Sequence, residues 1–192
     1  MKTQSLLLIG VGGQGALLFS NILAAGLMQC GHDVKMSEIH GMAQRGGSVT
    51  TQIRFGQKVY APGIGLGEAD YVAAFEKMEA LRALPFLKRG GTLVVNNHEI
   101  YSMPIASGKE QYPDDALELL KAATPSTLVI NAEEIATQLG NPRVQNVVLL
   151  GALVRAMNLP KVDWNACISQ MVPAKAKEVN LQAFTRGFEL ST

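Results

Sequence analysis

Two short stretches of this chain hold residue types that do chemistry together. The first is Gly10-Val-Gly12-Gly13-Gln14-Gly15, directly after the apolar run Ser5–Ile9. Gly10, Gly12 and Gly15 satisfy G-x-G-x-x-G, in which one glycine turns the chain, one lets backbone approach an anion and one packs helix on strand. Free N–H groups at a helix start, with the positive end of the helix dipole, then favour a phosphate or carboxylate. The second stretch is Glu38-Ile-His40-Gly-Met-Ala-Gln44-Arg45-Gly46-Gly47-Ser48. Glycine allows close backbone approach there, while arginine offers a fork of donors to a carboxylate or phosphate. Gly12, Gly13, Gln14, Gly15, Gln44, Arg45, Gly46 and Gly47 are therefore the anion-facing candidates, and Glu38 and His40 the positioning candidates. Taken singly, each stretch has a plainer reading: a strand-to-helix connection, and a tight turn with a surface arginine.

Other chemistries find less support. A dinucleotide site needs an acid near the end of the second strand to hold a ribose hydroxyl. Glu38 comes 23 residues after Gly15, slightly late, and Asp33 comes 18 after it, at the wrong end of its strand. Glu38-x-His40 has no third ligand at metal spacing, so no metal site is expected. No serine, cysteine or lysine stands in a nucleophile motif. His32 beside a glycine reads as solvent-exposed, and His98 lies just past a strand end, within reach of the same rim. Cys30 and Cys167 read as core thiols in apolar helices, and Trp164 as a packing anchor. Two cysteines also cannot supply the four thiolates of a cubane iron–sulfur cluster.

The elements that must position these residues alternate. Strands are expected at Ser5–Ile9, His32–Glu38, Ser48–Phe55, Asp70–Phe75, Gly91–Asn96 and Ser126–Ile130, from apolar runs or period-two patterning. Helices are expected from about Gln14 to Cys30, at Lys77–Leu87, after Pro113, and then at Glu133–Leu139, Arg143–Met157, Trp164–Met171 and Lys175–Glu189. Gly56-Gln57 suggests a hairpin in which Lys58–Ala61 returns against Ser48–Phe55. Asn97–Tyr112 is a long connection without periodicity. The fold expected is a three-layer, Rossmann-like α/β sandwich with a mostly parallel sheet, an antiparallel hairpin at one edge and C-terminal helices. In such sheets, loops after the carboxyl ends of strands share one ligand-binding rim, which would bring the two glycine-bearing stretches together.

The whole chain adds bounds. Its 192 residues are 47% hydrophobic and 17% charged, with formal net charge +1, and fit a single domain spanning 1–192. That balance gives no electrostatic reason to expect nucleic acid or a membrane surface. No apolar run reaches a bilayer-spanning length of about 18 residues, and the start lacks a signal-peptide core. A cytoplasmic, reduced setting is expected from the cysteine usage.

The two stretches together carry a likeness. Gly10–Gly15 and Ser37–Ser48 closely resemble the gamma-type domain of 2-oxoacid:ferredoxin oxidoreductases, and within it the branch of the indolepyruvate (arylpyruvate) oxidoreductase beta subunit. Phe75-Glu-x-x-Glu-Ala-Leu-Arg82, Gly140-Asn-x-Arg-x-x-Asn-Val-Val-Leu-Leu-Gly151 and Glu178-Val-Asn-Leu-Gln-Ala-Phe184-x-x-Gly187 agree with it, so the resemblance spans the chain. It implies a subunit of an enzyme that oxidatively decarboxylates a 2-oxoacid to an acyl-coenzyme A. Thiamine diphosphate, magnesium and iron–sulfur clusters would sit on a larger partner subunit. Coenzyme A would be a co-substrate, and ferredoxin would take electrons through the complex. This chain would bind none of those cofactors alone, and it has no Gly-Asp-Gly thiamine signature. Two other readings stay open: a purely structural partner subunit, and a stand-alone dinucleotide- or flavin-binding oxidoreductase. The sequence does not choose among indolepyruvate, phenylpyruvate and related acids.

Overall fold

A computed structural model describes residues 3–40, 47–159 and 162–190. Its core is a six-stranded sheet of β1 (Gln4–Val11), β2 (Asp33–His40), β3 (Ser48–Gly56), β4 (Ala69–Ala74), β5 (Leu87–Asn96) and β6 (Thr127–Ile130). The spatial order is β2-β3-β1-β4-β5-β6. The pairings of β1 with β4, β4 with β5 and β5 with β6 are parallel, while β3 runs antiparallel to both β1 and β2. The sheet is thus mixed, with its antiparallel pair at one edge.

Alternate residues of β1 enter opposite cores, as a strand covered on both faces requires. Leu6 and Leu8 join a cluster with Phe19, Leu23, Val148, Leu153 and Phe184, beneath α1 (Ala16–Gln29), with α6 (Gln145–Met157) and α8 (Lys177–Phe188). Leu7 and Ile9 join Val72, Leu93, Ala80 and Leu120 on the other face, under α2 (Lys77–Ala83) and a later helix at Ala116–Ala123. In chain order the remaining helices are α3 (Met103–Ala106), α4 (that Ala116–Ala123 segment), α5 (Ala132–Gln138) and α7 (Trp164–Met171). The three-layer sandwich and its C-terminal helices are as expected.

The edge hairpin is built differently. Lys58–Ala61 does not return against β3, and residues 57–68 contain no strand. Both edges of β3 are already taken by β1 and β2, so no ladder position is left for it. The segment is instead pinned by side chains: Val59 N–H donates to Asp33 Oδ2 at 2.9 Å and Ile64 N–H to Gln52 Oε1 at 2.8 Å.

Other boundaries shift for local reasons. Gly15 is left-handed (φ 81°), so α1 begins at Ala16 rather than Gln14. The expected Lys77–Leu87 helix stops at Ala83. A 3-10 turn carrying Pro85 follows, and Leu87 already pairs with Ala69 as strand. The Asn97–Tyr112 connection contains the short α3.

Candidate functional site

The glycine turn sits at the carboxyl end of β1, where β4 runs beside it in the same direction. Gln14 organises the turn. Its Oε1 accepts from Val11 N–H at 2.7 Å, and its Nε2 donates to the Phe75 carbonyl at 3.1 Å, tying the turn to the end of β4. Gly10 must lack a side chain, since a Cβ there would lie 2.8 Å from Gln14 Oε1 and 2.9 Å from the Phe75 ring. Gly13 (φ 103°) and Gly15 (φ 81°) adopt conformations that suit glycine.

The turn delivers an open helix end. No side chain caps α1, and its first turn carries no acid. The leading N–H groups of a helix lack intrahelical acceptors, and the helix dipole makes that end positive. A pocket of about 250 Å³ opens over it, lined by Val11, Gly12, Gly13, Gln14, Gly15, Ala16 and Leu17, with Glu38, His40 and Val49 on the opposite side.

The structure therefore brings together Gly12–Gly15, Glu38 and His40. Gly12 N–H donates to the Gly47 carbonyl at 2.9 Å, so Gly47 adjoins the turn through its backbone. Gln44, Arg45 and Gly46 lie outside the described residues. Glu38 stands one strand further out than a Rossmann ribose acid, because β3 lies between β1 and β2. Strand spacing makes that displacement about 4.8 Å. Opposite Glu38 in the ladder, Thr51 is buried, and its hydroxyl has no partner among the described residues.

Residues held only as secondary candidates resolve into structural roles. His98 Nδ1 lies 2.7 Å from Glu133 Oε2 and does not line the pocket. His32 is half-buried rather than exposed, its ring centroid 5.5 Å from that of Phe55, because the turn after α1 folds it onto β3. Asp33 pairs with Lys35 at 2.5 Å at the far end of β2; that hydrogen bond, more than any other contact, holds its carboxyl below the ordinary range. Burial pushes both cysteine thiols up: Cys167 is buried, and Cys30 is half-buried at the end of α1. Trp164 packs as an anchor, stacked on Phe184 with centroids 5.7 Å apart.

Three polar residues near the rim escaped reading from sequence. Asn146 Nδ2 donates to the Gly15 carbonyl at 3.2 Å. Glu76 accepts from Glu79 N–H at 2.8 Å and caps α2, and it also accepts from the Tyr112 hydroxyl. Glu79 is the third. All lay inside motifs carrying the family likeness, which was the available signal, although those motifs do not reveal who touches whom.

No group of three or more histidine, cysteine or carboxylate side chains is placed to hold a metal among the described residues. With only two cysteines, the donor set does not fit an iron–sulfur cluster. No described helix is long and apolar enough to cross a membrane.

Comparison with known proteins gives consistent results. The sequence pattern of the pyruvate ferredoxin/flavodoxin oxidoreductase family matches residues 5–190. Indolepyruvate oxidoreductase subunit IorB of Pyrococcus horikoshii is 37% identical, over 97% of this chain and 95% of that protein. Among solved structures, pyruvate oxidoreductase subunit PORC of Thermotoga maritima has a TM-score of 0.74 at 24% identity, covering 98% of this chain and 97% of that one. The 2-oxoglutarate:ferredoxin oxidoreductase of Magnetococcus marinus, solved with 2-oxoglutarate, coenzyme A and succinyl-CoA bound, has a TM-score of 0.73 at 20% identity. That match covers 97% of this chain and 30% of the other, so the same fold also occurs as part of a longer polypeptide.

Proposed function

The chain belongs to the pyruvate ferredoxin/flavodoxin oxidoreductase family, and from that premise we propose that it is the small subunit of an indolepyruvate:ferredoxin oxidoreductase. It supplies an anion-facing wall to a centre held mainly by a larger partner subunit. Thiamine diphosphate, magnesium and iron–sulfur clusters are assigned to that partner: two cysteines are too few for a cluster, and the described residues hold no metal-binding group; no bond-making step is assigned to this chain's own residues.

The observation that carries this reading is the uncapped start of α1 opening into the pocket, joined by the Gly12–Gly47 hydrogen bond to the strand that follows Arg45. A helix start of this kind binds phosphate or carboxylate without needing a lysine. Arg45 adds a bidentate donor, and Gln44 with the Gly46–Gly47 backbone supports it. The anion is the phosphate-bearing part of coenzyme A, with Glu38 and His40 on the wall that faces its polar groups. The carboxylate of the 2-oxoacid is the competing occupant of the same donors.

The test is steady-state kinetics of the complex assembled with its partner. Arg45→Ala is expected to raise the KM for coenzyme A by about tenfold, the scale of one charge-assisted hydrogen bond, with assembly intact. A rise confined to indolepyruvate assigns the site to the 2-oxoacid instead. Wild-type kinetics for both substrates removes Arg45 from the site.

A further inference from the structure

The outer side of α1 is unlike that of an ordinary surface helix. Its 14 residues include no charged side chain, whereas a helix packed on a sheet commonly turns charged residues to water. Leu17 and Met28 are 54% and 57% exposed, and Met36 on β2 is 38% exposed. A groove of about 490 Å³ runs along this side. Leu18, Ala24 and Met28 line it from α1, Val34 and Met36 from β2, and Met171 from the end of α7, with the Asn21 amide among them. No charged side chain lines it among the described residues.

The fold explains why the groove stays open. Val34, Met36, Glu38 and His40 alternate onto one face of β2, the outermost strand of the sheet. Val34 packs against the core, while Met36, further along, passes beyond the cover that α1 gives. Scattered apolar side chains are ordinary on a surface, but a contiguous apolar face marks an interaction site. Methionine adapts its shape to what it meets, so three of them in one groove suit a protein surface.

The neighbouring pocket says what covers this face. Leu17 lines the pocket over the glycine turn and Leu18 lines the groove; on β2, Met36 lines the groove while Glu38 and His40 line the pocket. A body that completes the pocket therefore lies across the same helix and the same strand. The chemistry of the contact follows from the lining: a charged segment would lose its hydration there without meeting a counter-ion, and an apolar one loses nothing.

We propose that the groove between α1 and β2 is the docking surface for the larger subunit, which seats an uncharged apolar segment against Met28, Met36 and Met171. The proposal rests on the reading of the chain as a small subunit and deepens it by naming the surface through which the partner is held.

The experiment is methionine oxidation by dilute hydrogen peroxide, read residue by residue by mass spectrometry, on the dilute isolated chain and on its complex with the co-expressed larger subunit. Oxidation of Met28 and Met36 is expected to slow by about fivefold or more in the complex, since conversion of a thioether to its sulfoxide follows exposure. The dissociation constant is then measured for Met28→Lys/Met36→Lys, two exposed positions where lysine is accommodated. It is expected to rise about 100-fold, about tenfold for each buried anchor, with the melting temperature of the isolated chain near wild type. Leu119→Lys, exposed on α4 against the opposite face of the sheet, should bind as wild type. If the wild-type chain binds the larger subunit with Met28 and Met36 oxidised as fast as before, the docking surface is overturned while the subunit reading stands. Equal weakening by Leu119→Lys overturns it too. Protection that comes from concentrating the isolated chain, and does not grow when the larger subunit is added, assigns the face to a second copy and overturns the proposal. If the wild-type chain binds no larger subunit, the reading beneath the proposal fails, and the proposal with it.

Discussion

Asn146 fills the space a side chain on Gly15 would need: its Nδ2 lies 2.5 Å from where a Cβ would be, and donates to the Gly15 carbonyl at 3.2 Å. The contact fastens the start of α1 to α6 across 131 residues of sequence. Gly15→Ala meets both this clash and the left-handed backbone, whose cost for an L-residue is about 1–2 kcal/mol by itself. It is expected to lower stability by about 2–4 kcal/mol in urea unfolding. Adding Asn146→Ala should recover only the steric part. A wild-type midpoint for Gly15→Ala would show that the turn is not held as described.

Gly151 and Gly187 let α6 and α8 touch backbone to backbone. A Cβ on Gly187 would sit 1.9 Å from the Val148 carbonyl, and one on Gly151 would sit 2.2 Å from the Phe184 carbonyl. Backbone cannot swing aside as a flexible side chain can, so Gly187→Ala should cost about 3 kcal/mol or more. Gly31 is the control. It has φ 80° but open space around it, so Gly31→Ala should cost only about 1–2 kcal/mol. Equal losses at the two positions, read from thermal unfolding, would contradict the close helix contact.

Gln14 serves as acceptor at one end and donor at the other, and two substitutions separate these. Gln14→Ala loses both bonds, with an expected cost of about 1–2 kcal/mol. Gln14→Glu keeps the acceptor for Val11 N–H but sets a carboxylate against the Phe75 carbonyl. It should be the worse of the two above pH about 5, where a glutamate is ionised, and should recover as pH falls and the carboxyl protonates. Urea midpoints of both variants at pH 4 and pH 8 test the ordering; the reverse ordering at pH 8 would assign the Phe75 contact no weight.

Tyr112 buttresses the start of α2, its hydroxyl donating to Glu76 and accepting from Met78 N–H at 3.1 Å. Burial, and then the hydrogen bond to Glu76, push its ionisation well above the tyrosine range. A proton held more tightly in the folded state stabilises fully below the unfolded value of about 10 and is lost as pH rises above it. Tyr112→Phe should therefore cost about 1–2 kcal/mol at neutral pH and flatten the alkaline fall in stability. An unchanged alkaline limb would place the sensitive group elsewhere.

Much of this architecture was legible because the strands announce themselves. Leu6–Ile9 and Leu93–Val95 are unbroken apolar runs, and both proved to be buried on two faces. The rim pairing of Gly12–Gly15 with Glu38 and His40 also followed from the expected fold, since β2 runs the same way as β1. The strand between them did not. Gly56-Gln57 looks like a hairpin turn, whereas β3 pairs antiparallel with β2 on one side and with β1 on the other. Choosing between those partners depends on ladder edges that no local pattern encodes. Side-chain commitments were hidden for a similar reason. Nothing near Glu79 in sequence points to Ser48, 31 residues away, and Asn146 is more distant still from Gly15. Gly187 carried a likeness without a cause until its facing carbonyl came into view.

The edge position of β2 has a consequence for the behaviour of the isolated chain. Among the described residues no strand lies beyond Asp33–His40, and Met36 and Ile39 are exposed on it. An edge strand of eight residues is a template for pairing with another copy, blunted here by Lys35 and Glu38. Light scattering of the isolated chain across a concentration series is expected to show reversible association through that edge.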